Sequence, residues 1–85
     1  MSYKISLISP AGKIFEGVVE SAIAPGAEGN FEVLTGHAPM VVRLKAGTVT
    51  LRRGAQKTLF AIGSGVFEVD QRHNALLLSD SAIPQ

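Results

Sequence analysis

Glycine or proline interrupts this chain at short, regular intervals. The breaks fall at Pro10-Ala11-Gly12, Gly17, Pro25-Gly26, Gly29, Gly36, Pro39, Gly47, Gly54, Gly63, Gly65 and Pro84. Glycine gives up the most backbone entropy inside a helix, and proline removes a donor and clashes with the preceding turn. Only Val66–Ile83 escapes these breaks long enough to hold a good helix. Within it Phe67 and Val69 alternate with Glu68 and Asp70, which is the period of a strand. Gln71-Arg72-His73-Asn74 then reads as a turn before Ala75–Leu78.

The same alternation recurs elsewhere. Phe31 and Val33 alternate with Asn30 and Glu32, and Val49 and Leu51 with Thr48, Thr50 and Arg52. Short β-rich runs between regular turn signals predict an all-β fold, a sandwich of two antiparallel sheets with nine or ten short strands. Strands are expected near Tyr3–Ser9, Lys13–Phe15, Val18–Ala24, Asn30–Leu34, Met40–Lys45, Thr48–Arg52, Lys57–Ile62, Gly65–Val69 and Ala75–Leu78. Arg53-Gly54-Ala55-Gln56 is the clearest hairpin turn, because Gly54 is free to take φ > 0. The apolar run Thr58–Ile62 is expected to be buried on both faces. With 85 residues and no linker, repeat or low-complexity tract, residues 1–85 read as a single domain.

Composition narrows the chemistry. There is no cysteine, so disulfides, thiolate metal sites and a cysteine nucleophile are excluded. Net charge is +1, which provides no field to draw the chain to nucleic acid or anionic lipid. The longest charge-free runs, Val33–Val42 and Thr58–Phe67, fall short of the roughly 18 residues of a spanning helix. Apolar residues make up 46% and charged residues only 18%, below the ~25% of an average domain. A domain this small buries only about 60% of its unfolded surface, so the excess implies an exposed apolar patch and a protein partner.

Candidate sites are few. His37 and His73 share no metal-ligand spacing, so no metal is expected. Ser64 lies in Gly63-Ser64-Gly65, which reads as a tight bend and lacks the G-x-S-x-G pattern of a nucleophile elbow. Gly26-Ala27-Glu28-Gly29 lacks the lysine of a phosphate loop and carries a carboxylate instead. Glu68 and Asp70 share one strand face, the wet one. No nucleophile–base pair is visible, and no cofactor is implied.

One segment goes further. Pro25-Gly26-Ala27-Glu28-Gly29-Asn30-Phe31-Glu32-Val33-Leu34-Thr35-Gly36-His37-Ala38-Pro39-Met40 resembles the signature of the epsilon subunit of rotary F-type ATP synthases. The match continues through Leu7-Ile8-Ser9-Pro10, Phe15-Glu16-Gly17, Leu44-Lys45-Ala46-Gly47, Ile62–Val69 and Leu77–Ala82, and so covers essentially the whole chain. Gly36 and Pro39 agree with it physically, since a positive φ and a fixed φ make a rigid, protruding turn that presents His37.

The resemblance implies the N-terminal β-sandwich of that family and a non-catalytic role in the central stalk. It implies contacts to the gamma subunit through His37, Met40 and Val42, and to the c-ring through Glu28, Asn30 and Glu32. It further implies association with the cytoplasmic face of the energy-coupling plasma membrane through the complex alone, and no ATP binding by this domain. Many members continue into C-terminal helices, and the end at Gln85 reads as a naturally short form. The competing expectation is a stand-alone sandwich that binds a small ligand or carbohydrate. Such sites favour exposed aromatics over a concave pocket, and this chain has no tryptophan and one tyrosine.

Overall fold

The computed structural model describes Met1–Gln85 and contains ten strands and no helix. They are β1 (Tyr3–Ser9), β2 (Gly12–Val19), β3 (Ser21–Gly26), β4 (Gly29–Leu34), β5 (Met40–Leu44), β6 (Gly47–Arg53), β7 (Gln56–Ile62), β8 (Gly65–Val69), β9 (Ala75–Ser79) and β10 (Ala82–Pro84). Side chains of a strand point alternately to its two faces, and the burial follows. Tyr3, Ile5, Leu7 and Ser9 of β1 are buried, while Lys4 is exposed and Ser6 and Ile8 are half-buried.

Hydrogen bonding links the strands in the order β10-β7-β6-β3-β5-β8-β9-β1-β2, with β4 on the other edge of β3. The link between β3 and β5 is thin, the single pair Gly26↔Leu44. It is held by Ala27 N–H to the Arg43 carbonyl and Lys45 N–H to the Pro25 carbonyl, both 2.9 Å. The molecule is therefore a sandwich of two five-stranded layers, β10-β7-β6-β3-β4 over β5-β8-β9-β1-β2, joined at one corner. Pairing is antiparallel except for β1 and β9, which run parallel in register Ile5↔Ala75 to Ile8↔Leu78. That pair corrects the expectation of purely antiparallel sheets. The partners lie far apart in sequence, so no short hairpin dictates their direction.

Sixteen apolar residues form one core, with Phe67, Leu77, Ala22 and Ala24 fully enclosed. Phe31 meets Phe67 edge-on at 5.4 Å between ring centroids, and Phe15 meets Phe60 at 5.8 Å, both favourable aromatic arrangements. Tyr3 ties the layers together, its hydroxyl donating to the Val33 carbonyl at 2.6 Å.

Two further local expectations need correction. The break expected at Gly17 is absent, because β2 runs through it with the Phe15 ring lying over the bare glycine. The chain breaks instead at Glu20, whose N–H bonds the Arg52 carbonyl at 2.8 Å as the backbone passes from one layer to the other. Thr58–Ile62 is not buried on both faces, since only Phe60 and Ile62 are buried and the other three are half-buried. Beyond the nine strands placed from the sequence, Ala82–Pro84 makes the tenth and pairs with β7. Pro84 is tolerated there because an edge strand can spare one N–H.

Candidate docking groove

β3 and β4 form a hairpin closed by the two-residue turn Ala27-Glu28, between the paired Gly26 and Gly29. At the other end of β4 the chain turns through Thr35-Gly36. Gly36 takes φ 81°, a left-handed conformation, and the His37 N–H donates to the Leu34 carbonyl at 3.2 Å. Pro39 then aims the chain into β5 in the opposite layer.

Two imidazoles brace this crossing. His37 Nδ1 lies 2.8 Å from the Ala38 carbonyl, and His73 Nδ1 lies 2.9 Å from the His37 carbonyl. A carbonyl can only accept, so the hydrogen in each contact sits on Nδ1. His73 is positioned by the β8–β9 turn, where it takes φ 66°. There the Asp70 carboxylate accepts from the N–H groups of Arg72 and Asn74 at 2.8 and 3.0 Å. The histidines therefore meet through backbone, and no group of three or more His, Asp or Glu side chains could hold a metal ion.

Between the β3–β4 hairpin and β5 the sandwich is open. The groove has a volume of about 500 Å³, and Glu28, Asn30, Glu32, His37, Met40 and Val42 all contribute to its walls. The sequence-derived residues thus share one feature of the fold, yet they occupy it differently. Glu28 sits at the hairpin tip and His37 beyond the far end of β4, roughly 20 Å away at ~3.3 Å per residue. Glu32 lies on the outer face of β4, where its carboxylate accepts from the Ser21 hydroxyl at 2.6 Å. Its charge is the second reason, after burial, that the Tyr3 phenol is held well above the ordinary tyrosine range; a backbone N–H from Ala22 opposes both.

Met40 and Val42 are half-buried against the core and line the groove. They are not the strongly exposed apolar residues. That residue on β5 is Val41, 71% exposed on the outer face. Val66 and Leu78 extend the apolar surface over the same layer. Sequence reasoning missed Val41 and the groove residue Phe31. The alternation Met40-Val41-Val42-Arg43 signalled that neighbours face opposite ways, without saying which way is in.

This is an all-β domain whose one large surface feature is an open groove flanked by carboxylates and a braced histidine turn. Residues 2–85 match the family model described as ATP synthase, Delta/Epsilon chain, beta-sandwich domain, and the chain belongs to that family. It is 40% identical over 80 residues to the ATP synthase epsilon chain of Helicobacter acinonychis, covering 94% of this chain and 64% of that one. It is 41% identical to ATP synthase epsilon chain 2 of Nitrobacter hamburgensis, covering 94% and 58%. The chain thus spans less than two thirds of the length of these curated relatives. A chain in the cryo-EM structure of Euglena gracilis mitochondrial ATP synthase superposes with a TM-score of 0.91 at 22% identity. That match covers 98% of this chain and 53% of the other, and at this identity it is a likeness of fold.

Proposed function

We propose that this domain is the joint of an ATP synthase central stalk, seated between the gamma subunit and the c-ring. The observation that carries the reading is the groove itself. It gathers both sets of residues along one opening, with Glu28 at the hairpin tip and His37 beyond the far end of β4, so that two partners can be engaged at once. His37, Met40 and Val42 serve the gamma side, with Val41 continuing that surface outward. Glu28, Asn30 and Glu32 serve the ring side, where the carboxylates would meet basic loops. Exposed pairs of that kind are weakened by salt and contribute modestly.

The role is mechanical. Torque from a rotating ring reaches the shaft only through a coupling that does not slip, and a close-packed interior resists compression and transmits strain. The two-layer core, braced by Tyr3 and by the His37–His73 contact, suits that task. In this reading the domain binds no ATP, and it reaches the cytoplasmic face of the membrane only as part of the complex. The alternative ligand module would be served by an enclosed, aromatic-lined pocket, whereas this groove is open and its aromatic, Phe31, is largely engaged with Phe67.

Affinity purification of the tagged chain from its source membrane tests the proposal. A stalk subunit should bring down gamma and the catalytic core, and a ligand module should come alone.

A further inference from the structure

Edge strands expose unpaired N–H and C=O groups, and folded proteins usually blunt them with short length, proline, bulges or charge. Three of the four edges here are protected in such ways. β10 has three residues, one of them Pro84. β2 carries a register shift opposite Leu7/Ile8 and the Lys13–Glu16 ion pair at 3.1 Å. β5 is tied to β3 at Leu44, and its Arg43 carbonyl is already occupied. β4 is different. It pairs with β3 without interruption from Ser21↔Leu34 to Gly26↔Gly29, has no proline, lysine or bulge, and carries a single charge, Glu32, whose carboxylate is drawn to Ser21.

The groups it leaves open can be named. Pro25 has no N–H and its carbonyl bonds Lys45, so the Pro25↔Asn30 pair carries no ladder bond and Asn30 turns its N–H and C=O away from β3. Antiparallel pairs alternate in this respect, so Glu32 and Leu34 face the same way. The Leu34 carbonyl, bonded to His37 N–H, agrees. Beside this edge lies the groove, with Phe31, Met40 and Val42 in its walls.

We propose that β4 accepts an added strand, an extended segment of a partner polypeptide that alternates apolar and basic side chains. Resting on the stalk-joint reading, this gives the mode by which gamma docks, and it narrows the division above: gamma, which Met40 and Val42 serve, also takes the free edge at Asn30 and Glu32, and Glu28 at the hairpin tip is left to the ring. Main-chain bonds to both groups of Asn30 and Glu32 and to the Leu34 N–H, whose carbonyl His37 already occupies, supply the pairing, and alternate side chains supply the selectivity. Apolar residues on the incoming strand's inner face cover Phe31, Met40 and Val42. A basic residue on its outer face stands opposite Glu32, whose carboxylate Ser21 already orients. A second copy of this chain fits poorly. The register that uses all three free residues sets Glu32 against Glu32, and like charges directly opposite are destabilising.

The test uses the chain with a rotor complex stripped of its own epsilon-type subunit, and compares wild type, Glu32→Ala and Glu32→Pro. Proline at position 32 removes only an N–H that β3 does not use, and the extended Phe31 before it is compatible. Glu32→Ala should bind within about fivefold of wild type, the scale of one exposed ion pair. Glu32→Pro should bind at least about tenfold more weakly than Glu32→Ala, because it forfeits a main-chain bond. In the wild-type complex the amides of Asn30, Glu32 and Leu34 should exchange hydrogen at least about tenfold more slowly than in the free chain. That readout needs no variant to fold.

Wild-type binding with unprotected Asn30 and Glu32 amides, or with Glu32→Pro equal to Glu32→Ala, overturns strand addition and leaves the stalk reading standing. A free chain that dimerises, and becomes monomeric as Glu32→Pro, overturns the assigned partner. Failure of the wild-type chain to bind the rotor at all overturns the stalk reading and this inference with it.

Discussion

Tyr3 and Glu20 show how single side chains hold the two layers in place. The Tyr3 hydroxyl crosses the core to the Val33 carbonyl at 2.6 Å, and a net hydrogen bond of this kind contributes about 1 kcal/mol. Tyr3→Phe should therefore lower the melting temperature by roughly 4–8 °C at neutral pH. Burial, then the Glu32 charge, raises the Tyr3 pKa above its ordinary 10.0. Stability from keeping that proton is fully present below pH 10 and is lost as pH rises beyond it. Thermal melts of Tyr3→Phe should accordingly depend less on alkaline pH than those of wild type. Glu20 works in the opposite sense. The Gly54 N–H at 2.7 Å, and then the Arg52 charge, hold its carboxyl below the ordinary 4.5. Its contribution is present above that value and fades as pH falls through the lowered one. Glu20→Gln should melt lower than wild type at pH 7, and the gap should close in acid. A gap that persists unchanged at pH 3 would contradict this account of Glu20.

At the scale of elements, two glycines predict different outcomes for different reasons. Gly54 takes φ 60° in the β6–β7 turn, with open space where a Cβ would go. Gly54→Ala should cost about 1–2 kcal/mol, from backbone strain alone. Gly65 has an ordinary φ, but a Cβ there would collide with the Leu78 backbone carbonyl across the β8–β9 pair. Gly65→Ala must push two core strands apart, and urea denaturation should register more than the Gly54 cost, about 2–4 kcal/mol. Equal losses would show that the strand pair yields more easily than its packing implies.

The sequence made much of this layer legible. Alternation located nine strands to within a few residues, and Arg53-Gly54-Ala55-Gln56 is the hairpin turn it promised. What escaped depends on tertiary partners. Phe15 covers Gly17 and keeps β2 intact, the Arg52 carbonyl creates the break at Glu20, and β7 recruits Ala82–Pro84. The parallel β1–β9 pair has no local signal either. For the groove, the family resemblance named six residues, whereas their arrangement around one opening had no local signal. The inward turn of Met40 and Val42 and the exposure of Val41 depend on which face the opposite layer covers.

For the whole molecule, the account rests on one rigid body gripping two partners. Reversal of Glu28 and Glu32 to lysine should weaken coupling on the ring side. Both side chains are exposed; Glu28 sits in a turn, and substitutions at such exposed sites change stability by only about ±0.5 kcal/mol. Glu32 also gives up its Ser21 bond, so a modest drop in melting temperature is expected of the double variant. ATP-driven proton pumping by the reconstituted complex should fall while the domain stays folded, and undiminished pumping would count against a ring contact at the hairpin tip.

The most direct measurement uses the absence of cysteine in the chain. A single cysteine at Glu28 or at His37 can carry a short photo-crosslinker into the assembled synthase without competing thiols in this subunit. The groove places these positions at its opposite ends. Glu28→Cys should therefore link to a c subunit and His37→Cys to gamma, each identified by the mass of the linked peptide. If both positions linked to the same subunit, or neither linked to any rotor subunit, the account of this domain as the joint between ring and shaft would be contradicted.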